Sequence, residues 1–188
     1  FRSDGTILIT GGDLYAFTLE GTNIWHISGF FKTSPVIGHG GTAYVAKLHF
    51  PGTLCRISNS GVPSSTDATE LITYTAPKCA AIDAGGTVWY CASNMVWALN
   101  ANGQTLPWSK VVDSGYPGPR TSPVIGSDGT LFSARGSRLY AIATGTNGPA
   151  DSPWPMYRGN YRHTGKIEKP TLKQPKKRAD DNFEFQLY

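Results

Sequence analysis

The chain has 188 residues, with 22 Gly and 13 Pro, 16% charged and 12% aromatic side chains. Low charge with many aromatics excludes a disordered chain, and the lack of a Gly-x-y period excludes collagen. Lys and Arg outnumber Asp and Glu by only 17 to 13, so no concentrated basic face of the kind that binds nucleic acid is expected, and no apolar run reaches the length of about 18 residues that a membrane-spanning helix needs.

In chain order, the dominant feature is repetition. Gly5-Thr6 opens the first unit, followed by Ile7-Leu8-Ile9, the run Leu14-Tyr15-Ala16-Phe17, a turn at Glu20-Gly21 and Trp25. The second unit begins with Thr33-Ser34-Pro35-Val36-Ile37-Gly38, then the pair Gly41-Thr42, Ala43-Tyr44-Val45, Leu54-Cys55-Arg56-Ile57 and a turn at Ser60-Gly61. A longer insertion, Val62 to Thr69, precedes its aromatic, Tyr74. The third repeats the order with Gly86-Thr87, Val88-Trp89-Tyr90, Val96-Trp97-Ala98-Leu99, Asn102-Gly103 and Trp108. The fourth opens with Thr121-Ser122-Pro123-Val124-Ile125-Gly126, letter for letter the opening of the second. It continues with Gly129-Thr130, Leu131-Phe132, Leu139-Tyr140-Ala141-Ile142, Asn147-Gly148 and Trp154.

Each unit reads as four short strands bounded by Gly, Asp and Asn turns, with no sustained helical period. A four-stranded unit recurring roughly every 40 residues is the signature of a β-propeller blade. A blade buries both faces of its sheet against its neighbours, so residues of both parities are apolar. The expected fold is therefore all-β: a propeller of four-stranded antiparallel blades, about four of them present, as a partial ring or one completed by a second copy.

The pattern Ser-Pro-Val, Gly-Thr, Leu-Tyr-Ala, then Asn100-Ala101-Asn102-Gly103 with Trp108 nearby resembles the pyrroloquinoline-quinone-like (PQQ-like) propeller repeat of bacterial extracytoplasmic proteins. The stretch Ser152-Pro153-Trp154-Pro155-Met156-Tyr157-Arg158-Gly159-Asn160 onward to Gly165 resembles a closing segment of such propellers. The resemblance covers residues 4–165 and implies an extracytoplasmic location, periplasmic or secreted. It also implies a family of scaffolds and quinoprotein dehydrogenases. The dehydrogenases carry adjacent cysteines over the quinone, whereas Cys55, Cys79 and Cys91 are not adjacent. Neither PQQ nor calcium is expected, and no cofactor or metal. The expected function is a non-catalytic scaffold for a protein partner or an anionic ligand, within a larger protein. The alternative is the propeller part of an enzyme, a quinoprotein oxidoreductase or a carbohydrate-active hydrolase.

Residues 1–165 are thus read as blades, the first incomplete, and 166–181 as a Pro- and Lys-rich linker. In 182–188, Phe183, Phe185 and Leu187 alternate with Glu184 and Gln186, one strand with an apolar face. It either pairs with a blade edge or begins a further domain, the second being preferred. Exposed blade faces are a route to self-association.

Candidate site residues follow. The resemblance places the Ser-Pro-Val strand along the central channel, so Lys32, Lys78 and Arg120, just before it or within one residue of that place, would ring one channel mouth and could hold an anion. Arg158, Arg162 and His163 form a second candidate contact surface. The recurring Trp25, Tyr74, Trp108 and Trp154 are read as inter-blade packing rather than a stacking ring for ligand. Asp4, Asp83 and Asp128 are read as turn residues. Cys79 and Cys91 flank one turn, leaving a cross-strand disulfide or two buried thiols, with the thiols preferred.

Overall fold

The computed structural model describes residues 1–47, 53–58, 68–69, 78–92, 95–107, 110–111, 121–135 and 137–167. Its strands are β1 (Ile7–Phe17), β2 (Asn23–Phe31), β3 (Val36–Ile37), β4 (Ala43–Lys47), β5 (Thr53–Ile57), β6 (Ala68–Thr69) and β7 (Ala81–Ile82). They continue as β8 (Val88–Ala92), β9 (Met95–Leu99), β10 (Lys110–Val111), β11 (Val124–Ile125), β12 (Thr130–Arg135) and β13 (Arg138–Ala143). Every pairing between these strands is antiparallel, and the described residues contain one 3-10 turn, His39–Gly41, and no α-helix.

The blades follow the repeats. β3-β4-β5-β6 form the second, β7-β8-β9-β10 the third and β11-β12-β13 the described part of the fourth. The first is β1 and β2, joined to the second through Phe31 and Lys47, with β1 at the end of the order among the described strands. Two strands expected on either side of Gly11-Gly12 form one element, β1, with Gly12 at φ 94 between them. The fourth strand of the second blade falls on Ala68–Thr69, inside the stretch read as an insertion; Tyr74 and Trp108 lie outside the described residues.

The repeated letters have local causes. Thr33 Oγ1 accepts the Ala46 amide at 2.8 Å, and its counterpart Thr121 Oγ1 accepts the Ala134 amide at 2.9 Å. Each threonine thereby ties the start of an inner strand to the strand beside it. The anchor glycines Gly5, Gly41, Gly86 and Gly129 all sit at positive φ, between 76° and 88°, where a Cβ is disfavoured. The aspartates act as turn residues: Asp4 and Asp128 accept the amides of Thr6 and Thr130, each at 2.9 Å.

The core lies between blades, and strand alternation explains it. On β4, Ala43 and Val45 pack with Leu14, Ala16 and Phe31 of the first blade. The intervening Tyr44 and Ala46 pack with Ile82, Val88 and Tyr90 of the third. On β8, Val88 and Tyr90 face the second blade, while Trp89 and Cys91 face Ile125 and Leu131 of the fourth. A central strand of this kind is apolar throughout because both its faces are interfaces.

Candidate functional site

The segment after β13 positions the site. Trp154 was expected on a fourth strand of the fourth blade; it is not there. After Ala143 the chain crosses the inner strands of the other blades. The Ala84 amide donates to Gly148 O at 2.9 Å, the Ala150 amide to Ile82 O at 2.8 Å and the Ile82 amide to Pro155 O at 2.9 Å. The Ile37 amide donates to Trp154 O at 2.7 Å. The segment satisfies main-chain groups on β3 and β7 that their own blades leave open. Met156, fully buried, packs between the third and fourth blades, and Trp154 packs against the core between the first and second. Trp154 is therefore packing, as read from the sequence, but at a different interface. Trp25 packs at that same interface, with the Arg2 guanidinium 5.9 Å from its ring.

The crossing ends beside β1 and makes a cleft of 420 Å³. Ile7, Leu8, Ile9 and Thr10 of β1 form one wall, with Ser34 and Pro35 at the start of β3 below them. Trp154, Tyr157, Arg158 and Phe1 complete the lining. Thr10 Oγ1 donates to Thr33 O at 3.2 Å and ties β1 to the start of the second blade. Phe1 packs against Trp154, with ring centroids 6.4 Å apart. Ile9 is 48% exposed and Tyr157 39%, so the rim presents apolar surface to water.

Of the second candidate set, Arg158 lines this cleft and is exposed. Its backbone is at φ 59, and that of His163 at φ 54, uncommon positions for residues with side chains. Hydrogen bonds hold this turn. The Gly165 amide donates to Arg158 O at 2.9 Å, and Asn160 Oδ1 accepts the amides of Arg162 and Thr164 at 3.0 and 3.3 Å. His163 packs edge-on against Tyr157 at 5.8 Å, and the Arg162 guanidinium lies 5.5 Å from the Tyr161 ring. His163 thus packs on Tyr157 and Arg162 on Tyr161, while Arg158 lines the cleft.

Of the first set, Lys32 is exposed, its amide bonded to Ala46 O at 3.1 Å, and Lys78 is half-buried; Arg120 lies outside the described residues. One or two residues further along, the inner strands do converge. Ser34, Cys79 and Ser122 occupy equivalent places in three blades. The Cys79 amide donates to Ser122 Oγ at 3.1 Å. Burial raises the Cys79 thiol pKa, and hydrogen bonds with Ser122 and Ser34 partly offset it.

All three cysteines are free and buried, in line with the preferred sequence reading. Burial pushes the Cys91 thiol up to about 12, and Ser133 Oγ, 3.3 Å away, opposes the shift. The Tyr90 hydroxyl, buried beside the thiols, is raised well above its ordinary range by burial first and their charge second. No group of three metal-ligating side chains occurs among the described residues, and none of their helices is long and apolar enough to cross a membrane.

Sequence reading missed the cleft because its walls come from opposite ends of the chain. It also missed one role of Asp83. This carboxylate is fully buried and accepts the Trp89 indole N–H at 2.8 Å as well as the turn amides of Gly85 and Thr87.

No family model matches the chain, and no curated protein matches it. Solved structures do. A protein of unknown function from Bacteroides caccae superposes with a TM-score of 0.55 at 20% identity, covering 80% of this chain and 57% of that one. A candidate gluconolactonase superposes with a TM-score of 0.52 at 17% identity, covering 74% of this chain and 48% of that one. The chain is built of β-propeller blades. It spans about half the length of these two neighbours, and at such identities the likeness speaks for the fold alone.

Proposed function

We propose that this chain is a binding scaffold: a PQQ-like propeller, working outside the cytoplasm, that presents the cleft beside β1 to an extended protein segment. The observation that carries the reading is the make-up of that cleft. Phe1, Trp154 and Tyr157 line it together with the aliphatic residues of β1 and with Arg158. Aromatic surface and one cation suit a peptide that alternates apolar and acidic side chains. A strand at the end of a sheet can take such a peptide by main-chain pairing. The extracytoplasmic location and the PQQ-like assignment are supported by the repeat motifs, and the scaffold role by the blades' inter-blade packing and this cleft.

The test is a fluorescence-anisotropy titration with a labelled hexapeptide alternating Glu with Phe and Leu. Binding is expected, and Arg158→Asn should weaken it about tenfold, the size of one charge-assisted contact of about 1.4 kcal/mol. Asn is the chosen replacement because it tolerates the left-handed backbone at this position. Binding that is absent, or indifferent to Arg158→Asn, would refute the reading.

A further inference from the structure

We propose that Asn147-Gly148, at the start of the segment that crosses the inner strands, is a self-modification site: the Gly148 amide nitrogen closes on the Asn147 carboxamide, and the pair is converted to isoaspartyl-glycine. The inference does not depend on what the cleft binds.

The sequence holds two Asn-Gly pairs, Asn102-Gly103 and Asn147-Gly148. Both asparagines are exposed, and both glycines are at positive φ, 83° and 114°. Glycine has no Cβ, so nothing on it shields its nitrogen from the preceding side chain. The pair alone therefore does not choose between the two places; the fold does.

In the first and third units the turn after the third strand is closed by its glycine. The Gly21 amide donates to Thr18 O at 3.1 Å and the Gly103 amide to Asn100 O at 2.8 Å. Asn100 Oδ1 accepts the Asn102 and Gln104 amides at 3.0 and 2.9 Å and fixes the third turn further. Ring closure needs a glycine nitrogen that has given up its proton, and a hydrogen-bonded amide must first open. In the fourth unit the chain leaves this pattern to cross the other blades. Gly148 is engaged through its carbonyl, which accepts the Ala84 amide at 2.9 Å, while among the described residues no acceptor takes its N–H.

The reaction balances with water. The Gly148 nitrogen, its proton lost to solvent base, bonds to Asn147 Cγ; the Cγ–Nδ2 bond breaks and ammonia leaves with a proton. Water then opens the cyclic imide, at Cγ to give aspartate or at the main-chain carbonyl to give isoaspartate. Isoaspartate routes the main chain through Cβ and Cγ, one carbon longer, and leaves a carboxylate. The extra carbon falls directly before the contacts that start the brace: Gly148 O with the Ala84 amide, the bridge of Asp83 with Pro149, and the Ala150 amide on Ile82 O.

In the test, the native protein is held at neutral pH below its melting temperature and digested at intervals. The peptides carrying the two asparagines are resolved into asparaginyl, aspartyl and isoaspartyl forms by liquid chromatography and mass spectrometry. Asn147 should convert about fivefold faster than Asn102, the factor that one net amide hydrogen bond supplies. In the urea-unfolded chain the two rates should come together. Equal rates in the native protein, or a faster Asn102, overturn the inference. So does a ratio that urea leaves unchanged, because local sequence rather than the fold would then set it. In protein enriched in the isoaspartyl form the Ala84 amide should exchange about threefold faster, with Val88 to Cys91 unchanged as the control for the fold. Asn147→Asp, which adds the charge without the main-chain carbon, should keep native exchange at Ala84. Unchanged exchange at Ala84 in the isoaspartyl form overturns the link to the brace.

Discussion

The carbonyl of Trp154 accepts the amide of Ile37 at 2.7 Å, joining the closing segment to the inner strand of the second blade. That contact and the Ala150 and Pro155 bonds to Ile82 make one continuous brace across two blades. Removing a donor from it should be costly. Ala150→Pro deletes the N–H that reaches Ile82 O and leaves a buried carbonyl unpaired, at about 1–3 kcal/mol. A fall in the urea midpoint with unchanged slope is the expected result. An unchanged midpoint would mean that the brace contributes nothing to stability.

Gly129 and Gly12 share a positive φ, 84° and 94°, but not their surroundings. A Cβ on Gly129 would overlap the Thr146 carbonyl, whereas one on Gly12 meets nothing within 4 Å. Gly12→Ala should cost only the left-handed backbone, about 1 kcal/mol. Gly129→Ala adds a backbone clash and should exceed about 3 kcal/mol. Denaturant melts of the two variants side by side check the ordering; equal losses would show that backbone strain alone matters at both sites.

Asp83 is a buried acceptor for three N–H groups. Asp83→Ala removes the acceptor shared by the Trp89 indole and two turn amides and should cost about 2–4 kcal/mol. Asp83→Asn keeps an oxygen for part of the set and should lose less. The urea midpoints of both variants measure this, and an alanine variant as stable as the native chain would contradict the assignment.

Arg158 is held at φ 59 and is exposed. Arg158→Gly should relieve about 1 kcal/mol of left-handed strain and raise Tm by about 2–4 °C, while the hexapeptide loses affinity about tenfold. The opposed signs separate a binding role from a structural one. A fall in Tm with unchanged binding would reverse the assignment.

Alkaline stability should reflect the buried thiols. Burial raises the folded pKa of Cys91 from 9.0 to about 12, and raises those of Cys55 and Cys79. Their contribution is complete below the unfolded thiol value. Above it the unfolded chain releases protons that the folded chain keeps, so stability falls between pH 9 and about 12. Cys91→Ala should flatten this decline, read as urea unfolding free energy against pH. Identical slopes in the two proteins would exclude Cys91 as a source.

The blades were legible in the sequence because their determinants are local. Gly in each Gly-Thr anchor answers a positive φ, Thr33 and Thr121 cap the same hydrogen bond in two blades, and Asp4 and Asp128 close the turns they precede. Apolar residues of both parities in β4 and β8 announce a strand packed on two sides. Arg158 was singled out in the sequence as a candidate contact, and its place on the cleft was not legible there.

What only the tertiary structure decided is the course of residues 148–158. Trp154 keeps the spacing of a fourth-strand aromatic, and nothing local separates that role from its actual place against the first two blades. The choice is made by open main-chain groups on β3 and β7, brought within reach of the segment only after the blades have stacked. The cleft arises from the same cause. Its walls, β1 and the turn at Arg158, belong to opposite ends of the chain, and they meet because the crossing segment carries one to the other.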